Sequence, residues 1–111
     1  MTAKELDRLL AARSVTNLPE RSELVAWAEL AERTRVEPAC MAELVEMGWI
    51  EPLRTGSEEY LFRQRDVYRI KKLLRLCRDL EISYAGASII VDLIERIEEL
   101  ETRIAELKRL L

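Results

Sequence analysis

Few side chains in this sequence could carry catalysis, and histidine is absent altogether. Its absence removes most zinc sites, the Cys-His and Ser-His-Asp nucleophile systems, and acid-base catalysis by imidazole. Cys40 and Cys77 lie far apart in the sequence, and we expect both to be buried free thiols. The acids are scattered over helix faces, and no glycine-rich loop is present to hold phosphates. We therefore predict that the protein is not an enzyme and uses no metal and no cofactor.

The charged residues are grouped along the chain by sign. Between residues 37 and 51 every charged residue is acidic, namely Glu37, Glu43, Glu46 and Glu51. Between Arg54 and Arg78, eight Lys and Arg residues outnumber three acids. The acidic stretch would be repelled by DNA phosphates, whereas the basic stretch could contact a nucleic-acid backbone. Each stretch taken alone is equally consistent with an ordinary solvated surface.

The bulk composition limits what kind of protein carries these charges. The chain has 111 residues, of which 49% are hydrophobic and 35% charged, with 3 Gly and 3 Pro and a net charge of -3. This composition is typical of a single folded helical domain. The amino-terminal residues are charged and amphipathic, unlike a signal peptide, and no run approaches the roughly 20 apolar residues of a membrane span. We expect a cytoplasmic protein with no membrane association.

Two short helices joined by a tight corner are predicted around the acidic stretch. The first covers about residues 26–34, and the second begins at Pro38, whose missing N–H suits the first helical position. Gly48 ends the second helix. Two apolar runs around a glycine-containing turn, residues 49–53 and 60–62, then predict a β-hairpin. Together these elements indicate a helix-turn-helix followed by a small wing.

Three further helices flank this unit. Apolar spacing predicts helices over residues 3–13, 64–80 and 84–111. Ser83 is placed to cap the last of them. The first is followed by a linker over residues 14–22, and we expect it either to dock on the domain or to form a loose tail.

An apolar ladder with a seven-residue period runs along the last helix. Its members alternate between the a and d positions of a heptad, and they are Ile90, Leu93, Ile97, Leu100, Ile104, Leu107 and Leu111. Leaving each of these side chains in water would cost about 1.5 kcal/mol or more. We therefore predict that the helix pairs with a second copy to form a homodimer, the alternative being that the stripe folds back on the chain's own core. Asp92 and Arg96, and Glu99 and Arg103, are predicted i,i+4 pairs, and the flanking charges do not decide between parallel and antiparallel helices.

The order of helix-turn-helix, wing, helix and long terminal helix resembles the MerR superfamily. The matching segments are Ala28-Glu29-Leu30-Ala31, Gly48-Trp49-Ile50-Glu51-Pro52, and Phe62 with Asp66. The acidic second helix, the Gly-x-x-Glu-Pro exit and residues 75–80 bring the chain closer to the chaperone-modulator branch, the CbpM family. The resemblance covers roughly residues 24–111. It implies an all-α fold, namely a MerR-like winged helix-turn-helix with a short β-hairpin wing and a long carboxy-terminal dimerisation helix.

The implied organisation has three parts. Residues 1–22 form an amino-terminal helical arm and linker, residues 23–82 form the winged helix-turn-helix domain, and residues 83–111 form a coiled-coil dimerisation helix.

The sequence departs from DNA-binding MerR proteins on and around the second helix. Ala42 and Glu43 stand where those regulators carry an Arg-Tyr-like pair that approaches the groove. Arg35 stands at a turn position where glycine is usual, and Glu37 replaces the usual serine-type cap. Arg63 stands where a capping residue is expected before the helix over residues 64–80. These departures bear on DNA reading and local stability, while the overall fold is expected to be kept.

The resemblance implies a chaperone modulator. Members of the CbpM family bind the J-domain of a DnaJ-type (CbpA-like) co-chaperone and inhibit its action on DnaK, and J-domains present a basic helix. The residues expected at the partner-binding face are Glu43, Glu46, Trp49 and Glu51. Trp49 has a second interpretation, packing on the helix-turn-helix core. The basic helix predicted over residues 64–80, with Arg65, Arg69 and Lys72, is an alternative docking face for an acidic partner.

The alternative function is a MerR-family transcriptional regulator that binds a two-fold DNA site as a dimer. In that case the contacts to the DNA backbone are expected from Arg54, Arg63, Arg65 and Arg69. A third and weaker hypothesis is a purely structural dimerisation module.

Overall fold

The computed structural model describes residues 2–14, 24–55 and 59–111. In chain order its elements are α1 (Ala3–Arg13), β1 (Leu24–Ala26), α2 (Trp27–Thr34), α3 (Pro38–Glu46), β2 (Leu53–Arg54), β3 (Tyr60–Arg63), α4 (Gln64–Leu80) and α5 (Tyr84–Arg109). The bounds of α4 are those predicted from apolar spacing, and α5 ends two residues before its predicted end. In the part of the chain that the structure describes, no helix is long and apolar enough to cross a membrane.

A small antiparallel sheet in the order β1-β3-β2 packs against the helices. The central strand β3 pairs Phe62 with Val25 of β1 and Leu61 with Leu53 of β2. The sequence predicted an extended entry before α2 and a hairpin from residues 49–53 and 60–62. The second run forms β3, but the first is a strand only from Leu53, because the N–H groups of Trp49 and Ile50 donate to the end of α3 instead. The sequence did not predict that the extended entry, β1, completes a sheet, so the fold is mostly helical rather than all-α. The turn residues 56–58 of the predicted hairpin lie outside the described residues.

Helix α1 packs against α3 and contributes to the hydrophobic core. Leu6 and Leu10, one helical turn apart, are 3% and 1% exposed. A capping box starts the helix, in which the Thr2 hydroxyl accepts from the Glu5 N–H and the Glu5 carboxylate accepts from the Thr2 N–H. Of the two expectations for this arm, the docked helix is correct. Most of the predicted linker, from residue 15 onward, lies outside the described residues.

The corner between α2 and α3 contains a residue in left-handed conformation. Arg35 has φ 59° and ψ 26°, and its N–H donates to the Ala31 carbonyl oxygen at 2.8 Å. Glycine favours this region because it lacks a Cβ, so the sequence's departure from glycine at this turn puts an arginine into a conformation that side chains with a Cβ rarely adopt. Glu37 then precedes Pro38 as the amino-terminal cap of α3, and its side chain makes no capping hydrogen bond.

Replacing Glu37 with serine should stabilise the protein. A serine hydroxyl can accept a hydrogen bond from one of the first free N–H groups of α3, and this capping bond is worth about 0.5–1 kcal/mol. Thermal unfolding followed by circular dichroism would show a higher midpoint for Glu37→Ser than for the parent chain. Glu37→Ala is the matched control, because it removes the same carboxylate without supplying a cap. Equal midpoints for the two variants would contradict the capping argument.

Only the first turns of α5 pack on the domain. The helix is capped by Ser83, whose hydroxyl accepts from the Gly86 N–H at 3.0 Å. Ala87 and Val91 are fully buried, whereas every residue from Arg96 to the end is exposed. About four turns of helix therefore project from the domain.

Candidate functional site

The exposed face of α3 is acidic. Glu43 and Glu46 lie three residues apart on one side of the helix and are exposed, and Met47 follows them with 44% of its surface exposed. The rest of α3 is largely buried, through Cys40, Met41, Ala42, Leu44 and Val45. Ala42, which the resemblance to DNA-binding MerR proteins placed at the groove, is only 4% exposed. The exposed side of α3 and its carboxy-terminal cap therefore carry two glutamates and a methionine, and no Lys or Arg.

The exit of α3 is closed by backbone hydrogen bonds. Gly48 has φ 75°, a conformation that glycine adopts at little cost. The reversal lets the N–H groups of Trp49 and Ile50 donate to the Leu44 carbonyl oxygen at 3.0 and 3.2 Å. Ile50 is thereby buried and Glu51 is exposed.

Trp49 is held within the chain by both its ring and its N–H group. The Arg69 guanidinium lies 4.0 Å from the ring centroid, in a cation–π contact. The indole Nε1–H donates to Asp92 Oδ1 of α5 at 2.8 Å. The side chain is half-buried and packs against the core cluster. These contacts agree with the interpretation that Trp49 packs on the core. The residue lies at the border of the acidic face.

Arg69 is the hub that joins the α3 exit, α4 and α5. Its guanidinium donates to the Trp49 carbonyl oxygen at 3.1 Å, to Asp92 Oδ1 at 2.9 Å and to Glu95 Oε1 at 3.0 Å. A longer contact of 3.4 Å reaches Asp66 Oδ1. The predicted pairing of Asp92 with Arg96 is therefore replaced by a bond across helices. The guanidinium N–H groups of Arg69 therefore bind partners within the chain, whereas the DNA hypothesis placed this side chain at a phosphate backbone.

Asp66 lies almost fully buried beside Arg69, with 2% of its surface exposed. Its Oδ1 faces Arg69 at 3.4 Å, while Oδ2 has no hydrogen-bond partner among the described residues. Burial raises the pKa of this carboxyl above its ordinary value, and the attraction of Arg69 opposes that rise only in part. One feature of the sequence pointed to this residue, its place four positions after Phe62. That feature carried no information on its burial or its partner.

The other arginines of the DNA hypothesis lie nearer the surface. Arg65 is exposed, and Arg54 and Arg63 are half-buried. Arg63 donates to the Glu51 carbonyl oxygen at 3.4 Å. These side chains flank the sheet and the start of α4, where Arg63 and Arg65 act together with Arg69 to oppose the rise in the pKa of Asp66.

The apolar ladder of α5 is open to solvent in the single chain. Six of its members are between 41% and 105% exposed, namely Leu93, Ile97, Leu100, Ile104, Leu107 and Leu111, and Ile90 is half-buried. The ladder lies on the side of α5 away from Ala87 and Val91, which face the core. The stripe therefore does not fold back on the chain's own core. The predicted pair of Glu99 with Arg103 forms at 2.8 Å on the charged side.

The two cysteines are free thiols. Burial raises the pKa of the Cys40 thiol to about 11 and also raises the pKa of Cys77, which is half-buried. Protonated thiols are poor nucleophiles and poor metal ligands. Cys40 fills space in the core between α3 and α5, in keeping with a packing role.

Comparison with known proteins agrees with this architecture. A family model described as "MerR HTH family regulatory protein" matches residues 25–109. A protein of Coxiella burnetii (strain Dugway 5J108-111), named "Chaperone modulatory protein CbpM", is 33% identical over 90 residues, which cover 81% of this chain and 85% of that protein. A protein of the same name from Pseudomonas entomophila (strain L48) is 28% identical over 80 residues, covering 72% of this chain and 79% of the relative. The helix-turn-helix, the acidic α3 and these matches together show that the chain belongs to the MerR helix-turn-helix family, and within it to the CbpM family of chaperone modulatory proteins.

Proposed function

We propose that the chain binds the J-domain of a DnaJ-type co-chaperone through the exposed face of α3 and thereby inhibits the action of that co-chaperone on DnaK. The observation that carries the proposal is the charge of α3, where Glu43 and Glu46 are exposed and no Lys or Arg is present. A basic helix, which J-domains present, is the complement of such a face. An occupied basic helix is then no longer available to DnaK.

The docking face combines charge with an apolar contact. Complementary charges mainly accelerate encounter and select the partner, whereas buried apolar contacts supply most of the affinity. Met47 is the exposed apolar side chain next to the two glutamates, and methionine adapts well to a partner surface. Glu51 lies beyond Gly48, and Trp49 borders the face while held by Arg69 and Asp92.

The proposal includes a homodimer through α5. The exposed ladder from Leu93 to Leu111 is the surface that a second copy would bury. In the proposed organisation residues 83–111 pair two copies, residues 23–82 carry the docking face, and residues 1–22 supply α1 as a brace behind α3. A dimer of this kind would display two acidic faces.

Reversing the charge of α3 should weaken J-domain binding. The double variant Glu43→Lys/Glu46→Lys places two cations against a basic helix, and we expect the dissociation constant to rise by about ten- to a hundredfold. The remaining binding should also depend less steeply on salt. Titration calorimetry with the isolated J-domain at two salt concentrations measures both effects.

The matched control for that experiment is Glu98→Lys/Glu106→Lys. Both residues are exposed on α5 outside the ladder, and this variant makes the same change in net charge. Binding like that of the parent chain is expected for the control. If the α3 variant bound the J-domain as tightly as the control does, the docking face would lie elsewhere.

The second candidate function is DNA binding as a MerR-type dimer, and the family match is the observation that favours it. Under that hypothesis a labelled duplex would bind at low salt with an affinity that grows with duplex length. Arg54, Arg63 and Arg65 would carry the backbone contacts. Under the docking proposal, anisotropy of the same duplex should not change at the protein concentrations that saturate the J-domain.

A further inference from the structure

A cleft of about 200 Å³ opens between the end of α2 and the middle of α4. It is lined by Thr34 of α2 and by Lys71, Leu74, Arg75 and Arg78 of α4. Lys71 and Arg78 lie two and nine residues after Arg69, which places them on nearly the opposite side of the helix from that hub. The cleft is therefore separate from the acidic face of α3 and from the arginines of the DNA hypothesis.

The three cations that line this cleft repel one another. Lys71, Arg75 and Arg78 fall at helical spacings of four, three and seven residues, where like charges repel. All three are exposed. Within the described part of the chain, the one ion pair they form joins Arg78 Nε to the exposed Asp79 Oδ1 at 3.4 Å. On the other side of α4, by contrast, Arg69 alone has three carboxylates, those of Asp66, Asp92 and Glu95.

This separation of the cation row from the carboxylates around Arg69 does not favour the stability of α4. More acids along the cation row would relieve the repulsion, yet the row has only the exposed Asp79, whereas Asp66, Asp92 and Glu95 are placed around Arg69. Local choices that oppose stability without a compensating contact are expected at functional surfaces. A bound anion would supply the missing compensation here.

The wall and floor of the cleft indicate how an anion would be held. The Thr34 hydroxyl donates to the Leu30 carbonyl oxygen at 2.8 Å and accepts from the Val36 N–H at 3.2 Å, so its hydrogen-bonding capacity is largely used. Leu74 is half-buried and gives the floor an apolar patch. The three cations are therefore the groups left to bind the ligand.

We propose that this cleft is a second docking surface, which binds an acidic segment of a partner protein by taking its carboxylates between Lys71, Arg75 and Arg78. A cleft of this size suits one or two carboxylates. A long polyanion would meet the acidic α3 on a chain of net charge -3, whereas a short acidic segment meets the cleft alone. The proposal does not depend on the J-domain assignment, because α3 and this cleft carry opposite charge.

A fluorescein-labelled hexaglutamate peptide tests the proposal by anisotropy, with the full-length chain as titrant at low salt. The cleft variant Lys71→Gln/Arg75→Gln/Arg78→Gln should bind the peptide about tenfold more weakly or worse. The matched control is Lys4→Gln/Arg8→Gln/Arg13→Gln, which removes three exposed cations from α1 and should bind as the parent chain does. Removing mutually repelling cations should leave the thermal midpoint of the cleft variant unchanged or higher, so a folding defect would be visible as a separate effect.

Two further probes separate the sources of the anion. Inorganic phosphate and a labelled single-stranded oligonucleotide of six residues are titrated in parallel with the peptide. Cleft-dependent binding of the peptide above that of both other probes would support an acidic protein segment. Stronger cleft-dependent binding of phosphate or of the oligonucleotide would overturn it in favour of a phosphate ligand. Peptide binding that is absent, or that is equal in the cleft and control variants, would also overturn it.

Discussion

Replacing Arg69 with methionine is expected to lower the free energy of unfolding by about 3 kcal/mol. The substitution leaves the Asp66 carboxyl, 2% exposed, without its counter-charge. It also removes the cation over the Trp49 ring and the bonds to Asp92 and Glu95 that hold α5. Urea unfolding followed by circular dichroism measures the change.

Two companion variants show whether the loss comes from the hub. Arg78→Met, on the same helix, removes an arginine whose side chain is 76% exposed and should change stability by no more than about 0.5 kcal/mol. Adding Asp66→Asn to Arg69→Met removes the stranded carboxylate and should restore part of the loss. An Arg69→Met variant as stable as Arg78→Met would show that the network contributes little.

Replacing Leu100 with glutamate is expected to convert a dimer of this chain into monomers. Burying a leucine is worth about 1.5–3 kcal/mol, and a two-fold interface contains the residue twice. The dissociation constant should therefore rise by about a hundredfold or more. Leu100 is 41% exposed in the single chain, so its replacement leaves the core of the domain untouched. Sedimentation equilibrium over a range of protein concentrations measures the constant.

Thr102→Glu is the matched control for that substitution. Thr102 is exposed on the side of α5 away from the ladder, and the variant introduces the same charge two residues along the helix. It should associate as the parent chain does. A parent chain that remained monomeric at high concentration, or an association unaffected by Leu100→Glu, would refute pairing through this stripe.

The sequence predicted the helices well because their signals are local. The apolar spacing of α4 between Gln64 and Leu80, and the missing N–H of Pro38, depend on neighbours within a turn or two. The sheet was harder to foresee, because β1 has three residues and β2 has two. Strands so short carry little alternation, and their pairing with β3 is set by the chain's path in space.

The candidate site was predictable only where charge alone defines it. The acidic face of α3 follows from helical spacing and from the absence of Lys and Arg. The contacts of Arg69 do not, because they depend on how α4 and α5 cross. The rule for i,i+4 pairs predicted Asp92 with Arg96, and a bond to another helix displaced that pair. Arg96 instead pairs with Glu99 at 2.9 Å.

The placement of the two tryptophans gives the molecule a pair of optical reporters. Trp27 lies against Phe62, with ring centroids 6.1 Å apart, and senses the contact between α2 and the sheet. Trp49, between a guanidinium and a carboxylate, senses whether α5 is seated on the domain. A chain with Trp27→Phe would emit from Trp49 alone. Its fluorescence would then follow the seating of α5 in real time, while a partner binds or two copies separate.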